Sequence, residues 1–166
     1  MGLTFREAVA EVELGLVSAD QLADIATAGL LEGYHSSALS VLAGQFGEPY
    51  DAVDAERLWS TALQELNIGF EGRTETARTV VRAYARLVVE GELPPQLGAS
   101  KIAGIHRLAR FPGCDARDAG DCLGAAGVIA LFYAFDGRGY PSRAEHTQTD
   151  AAIVEACRSL ADTDSE

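Results

Sequence analysis

Apolar residues recur along this chain at three- and four-residue intervals rather than in alternation, and the runs break at glycine, proline and helix-capping residues. Phe5, Val9 and Val12 form the first stripe. They follow Thr4 and Glu7, which have the T-x-x-E spacing of a capping box, and run toward Gly15. Ser18 and Gln21 repeat that signature before Leu22, Ile25, Ala26 and Gly29, with Gly33 as the stop. Gly29 falls where a neighbouring element can approach closely. Ser36 or Ser37 caps a short third helix through Ala38, Leu39, Val41 and Leu42, which ends around Gly44 to Gly47 before Pro49.

Asp51 or Asp54 opens a fourth helix with Ala55, Trp59, Leu63 and Leu66 on one face, and Trp59 reads as its core anchor. After the turn Asn67 to Gly72, Thr74 or Thr76 opens a fifth helix whose buried stripe is Ala77, Val80, Val81, Tyr84 and Val88. Gly91 closes it. Pro94 and Pro95 start a sixth helix, which turns Gly98, Ala99, Ile102, Ile105 and Leu108 inward and ends at Pro112 and Gly113. F-P-G-C-D-A-R-D-A-G-D-C is the longest irregular piece. Leu123 to Phe135 is apolar almost all round and reads as the central buried helix. A last helix, Ser142 to Leu160, turns in Ala144, Ala151, Val154, Cys157 and Leu160. The pattern predicts an all-α chain, a single-domain bundle or orthogonal stack of seven to eight short helices over residues 1–162, with 163–166 frayed. A stack of helical hairpins is a variant, although no fixed period repeats.

Composition narrows the function classes. With 48% apolar residues, the chain has enough material for a core, yet no run approaches the ~18 residues of a membrane span. The N-terminus turns acidic too soon for a signal peptide, so the expectation is a cytoplasmic protein. The odd cysteine set Cys114, Cys122 and Cys157 fits reduced thiols there. Alanine, glycine and arginine usage, with Lys101 as the only lysine, points to a bacterial source. The net charge of −12 is uneven: −10 over residues 1–72, +4 over 73–110 and −6 over 111–166. Such acidity argues against nucleic acid and anionic membrane as partners.

The segment E-G-E-L-P-P-Q-L-G-A-S-K-I, with Gly91, Pro94, Gly98 and Ala99 at fixed offsets, resembles a family of small, all-helical bacterial proteins of unknown function. L-V-S-A-D-Q-L and L-W-S-T-A-L-Q-E-L-N-I extend the resemblance over roughly residues 16–110. It implies a helical fold and carries no activity, cofactor or catalytic residue.

Candidate chemistry is sparse. The cysteines with His35, His106 and His146 lack the close pairs of a zinc site, so no metal and no cofactor are expected. Asp115, Asp118 and Asp121 stand three apart, a spacing that suits helix caps better than a cation cage and is not that of an EF-hand. Arg78, Arg82 and Arg86 recur every four residues and, with Arg107 and Arg110, form either a patch for a carboxylate or phosphate or a solvated face paired with Asp20, Asp24 or Glu65. Arg138, between two glycines, is a further loop candidate. The expectation drawn from these residues is an acidic protein-binding module with a basic protein partner, immunity- or inhibitor-like and without catalytic activity. The alternative is a small enzyme or ligand-binding protein that uses the Cys114–Cys122 loop with His106 and the nearby aspartates. A homo-oligomer built on an uncovered apolar helix face is a third reading.

Overall fold

The computed structural model describes residues 2–45, 51–108, 122–136 and 142–161. The chain is all-α. Among the described residues there are eight α-helices and no strand: α1 Phe5–Glu13, α2 Leu22–Leu31, α3 Ser37–Ala43, α4 Ala52–Leu66, α5 Arg73–Val89, α6 Pro95–Leu108, α7 Ala126–Asp136 and α8 Arg143–Ala161. One 3-10 turn, Ala19–Gln21, precedes α2. The helices cluster into two compact units, Leu3–Gly72 and Arg73–Glu166, the latter together with Met1–Gly2. The boundary coincides with the point in the sequence where net charge changes sign.

In the N-terminal unit the capping signals act as the pattern predicts. The Thr4 hydroxyl accepts from the Glu7 amide while the Glu7 carboxylate accepts from the Thr4 amide. A second carboxylate, Glu32, accepts the Phe5 amide through both oxygens at 2.9 Å, satisfying another N-terminal donor of α1. The Ser36 hydroxyl caps α3 and Asp51 caps α4. Phe5, Val9, Leu22, Ala26, Leu39, Leu42, Trp59 and Leu63 form the core. Phe5 is its hub: the ring lies 4.7 Å from Tyr34 and 6.0 Å from Trp59 and rests on Gly29, where an added Cβ stands only 2.5 Å from it. Asn67 ends α4 in the left-handed region at φ 52°, a conformation that asparagine tolerates.

In the C-terminal unit α5 packs against α6 and α8, and α7 packs against α6 and α8. α5 buries nine residues: Thr76, Ala77, Val80, Val81, Ala83, Tyr84, Ala85, Leu87 and Val88. Gly98 of α6 sits on Val88, 2.2 Å from Cγ2 for an added Cβ, so the Val88 side chain rests directly on the α6 backbone at a glycine. Lys101 Nζ lies 4.8 Å from the centroid of Tyr84.

Three expectations require correction. In α8 Ala144 and Ala151 are exposed, and Ile153 joins Cys157 and Leu160 on the buried face. The central buried helix is α5, not the segment 123–135. α7 covers only Val128 and Ile129 fully, while Ala126, Gly127, Ala130, Tyr133 and Ala134 are exposed. A helix that is apolar all round has no periodicity to say which side is covered; its neighbours decide. Val41, assigned to the inner face of α3, is instead 54% exposed, because Ala38, Leu39 and Leu42 already fill the face toward α2 and α4.

Candidate functional site

The arginine stripe exists as geometry. Arg78, Arg82 and Arg86 occupy the narrow line of α5 that is not buried. Their donors are engaged inside the molecule. Arg78 Nε donates to the Cys122 carbonyl at 2.9 Å. Arg86 bonds Glu90 at 2.8 Å, one turn along, and reaches the Gly2 carbonyl at 3.5 Å. These partners differ from the Asp20, Asp24 and Glu65 expected from sequence. Arg107 is exposed at the end of α6 and makes no hydrogen bond or ion pair among the described residues. Arg110 and Arg138 lie outside the described residues, as do Cys114, Asp115, Asp118 and Asp121.

The cysteine expectation changes as well. Cys122 is disulfide-bonded, so it is not a reduced thiol and offers no free thiolate as a nucleophile. Cys157 is free and fully buried, and burial pushes its thiol up to about 11. Among the described residues no group of three or more His, Cys, Asp and Glu is placed to hold a metal ion. His106 is half-buried, with a buried Nδ1 that meets no hydrogen-bond partner among the described residues.

A polar cluster that sequence spacing did not reveal joins α6 to α8. The Gln96 amide nitrogen lies 3.0 Å from His146 Nδ1 and donates to Asp150 at 3.1 Å. Phe135 packs against the same imidazole, with centroids 4.9 Å apart and rings 66° tilted. The participants are about fifty residues apart, so no local motif announces them.

A concave feature lies in the N-terminal unit. A cleft of about 500 Å³ opens where α1 and α4 end, between Glu13 on one side and Gln64, Asn67 and Gly69 on the other. Leu63 and Ile68 supply apolar lining, and Ser60 continues it along α4. The unit holds twelve acidic residues and two arginines. Arg57 pairs with Asp54 at 3.1 Å, and Arg6 lies over the Phe70 ring at 5.6 Å. Glu65 is committed to α3, accepting from the Ser37 hydroxyl at 2.8 Å and the Ala38 amide at 3.2 Å, and these bonds hold its carboxyl below the usual range. Glu13, Asp20, Asp24 and Glu56 are exposed, and their carboxylates accept no hydrogen bond or ion pair among the described residues. No helix of the described residues is long and apolar enough to cross a membrane. No family model matches the chain, and no curated protein or solved structure matches it either.

Proposed function

We propose that this chain is a protein-binding module that meets a basic protein partner through the acidic surface of Leu3–Gly72. The observation that carries the reading is the state of that unit's charges. Its two arginines are occupied locally, whereas Glu13, Asp20, Asp24 and Glu56 are exposed and their carboxylates meet no partner among the described residues. Unpaired surface charge of one sign steers an oppositely charged macromolecule and disfavours nucleic acid and anionic membrane. The arginine stripe is the weaker candidate, because its donors already support the C-terminal unit. An inhibitor- or immunity-like role, masking a basic surface, is the concrete form of this function. A location in the cytoplasm fits the composition, but a disulfide at Cys122 favours an oxidising compartment.

The test is affinity capture of the tagged protein from native lysate at low and high salt. Wild type is run beside a Glu13/Asp20/Glu56→Gln/Asn/Gln variant and an Arg78/Arg82/Arg86→Ala variant. A partner lost at high salt and lost by the acid variant establishes the reading. Loss only in the arginine variant moves the contact to α5, and the absence of any salt-sensitive partner refutes the proposal.

A further inference from the structure

The cleft at the ends of α1 and α4 is more specific than a general acidic surface. We infer that it seats the guanidinium of an arginine presented by the partner, an inference that rests on the protein-binding reading above. Three independent properties of the cleft converge on a cation with an apolar stem. The first is field: the C-terminal ends of α1 and α4 both border the cleft, and neither helix has a basic residue in its last turn. Each end contributes the negative pole of a helix dipole, with the Glu13 carboxylate added at the same rim. The second is the acceptor set. Gln64 and Asn67, whose side chains carry amide oxygens, line the same cleft as Glu13, and a guanidinium brings five donors in a planar fork where an ammonium brings three from a point. The third is the lining: Leu63 and Ile68 present apolar surface on which the methylene stem of an arginine can lie.

Among the described residues no cation of the chain lines the cleft. Arg6, two turns before Glu13 on α1, is held over Phe70 and does not line the cleft, and Arg57 is bound to Asp54. Among the described residues Glu13 is the only carboxylate that lines the cleft, too few hard anionic ligands for a metal ion. Glu56 and Ser60 lie four residues apart on α4, so Glu56 extends the anionic track one turn beyond the cleft, toward a second basic residue of the same partner.

The experiment is an NMR titration of the full ¹⁵N-labelled chain with acetyl-tetraarginine amide, using the tetracitrulline peptide as its neutral isostere. The expected result is a set of saturable shifts centred on Asn67, Ile68 and Gly69, absent with citrulline. Glu13→Gln, an exposed and nearly isosteric change, should weaken binding on the order of ten-fold, the worth of one charge-assisted contact. Asp24→Asn, which removes an exposed carboxylate from α2, should change it less than about two-fold, the effect of a single screened surface charge. Equal losses for Glu13→Gln and Asp24→Asn, or shifts spread over the exposed carboxylates, would reduce the effect to general charge attraction and overturn the inference. Equal binding of the citrulline peptide, or no binding of either, also overturns it. The two readings fail separately: a salt-sensitive partner that Glu13→Gln still captures removes the cleft but keeps the acidic surface, whereas a lysate without such a partner removes the acidic-surface reading itself.

Discussion

Replacing Gly29 by alanine tests the core of the N-terminal unit with a single methyl group. An ideal Cβ at that position stands 2.5, 2.6 and 2.9 Å from Cδ2, Cε2 and Cγ of Phe5. The ring cannot step aside cheaply, since Phe5 is 1% exposed and flanked by Tyr34 and Trp59. Overpacking of this kind costs about 1–3 kcal/mol, against a gain of at most about 1 kcal/mol from the higher helix propensity of alanine. The expected net effect is a loss of roughly 1–2 kcal/mol. Urea unfolding followed by the fluorescence of Trp59, the chain's only tryptophan, reports on the same cluster. With a slope of about 2 kcal/mol/M, the midpoint should fall by about 0.5–1 M at unchanged slope. A Phe5→Ala background, measured in an osmolyte that keeps every variant folded, removes the clash; there Gly29→Ala should be neutral or stabilising. A wild-type background that tolerates Gly29→Ala without loss, or equal losses in both backgrounds, would refute the packing argument.

In α6, Gly98→Ala and Gly104→Ala should act with opposite signs. The first drives a Cβ to 2.2 Å from Val88 Cγ2 and should cost about 1–3 kcal/mol; the second meets nothing within 4 Å and should stabilise by up to about 1 kcal/mol, read as shifts in thermal midpoint. Glu65, held below its reference value of 4.5 by Ser37 and Ala38, contributes stability that is present above that pH and is lost as pH falls through its lower folded value. Wild type and Glu65→Gln should therefore differ in urea midpoint at pH 6–7 and converge in strong acid, and parallel curves would exclude the capping role. For the cysteines, iodoacetamide followed by mass spectrometry should leave Cys157 unlabelled in the folded protein at pH 8, label it after denaturation, and reach Cys122 only after a reductant is added. Labelling of Cys122 without reductant would contradict the disulfide.

Local chemistry made much of the fold legible before any coordinates. The Thr4–Glu7 capping box, the Asp51 cap and the helix restart at Pro95 depend on neighbours within a few residues, and each stands where the pattern places it. The site was much less legible. The arginine stripe was visible, but not that Cys122, Glu90 and Gly2 occupy its donors. Glu13, Gln64 and Asn67 carry no motif, and neither do Gln96, His146 and Asp150, because each set is assembled from separate helices.

The sequence by itself determined an all-α chain, its main capping signals and a charge boundary at residues 72 and 73, because helical period, capping and charge are properties of adjacent residues. Only the tertiary structure decided that α5 rather than α7 is enclosed, that Val41 faces out, and that two helix ends leave an anionic cleft open. Those outcomes depend on which helices meet, and side chains far apart in the sequence set which surfaces remain for water or for a partner.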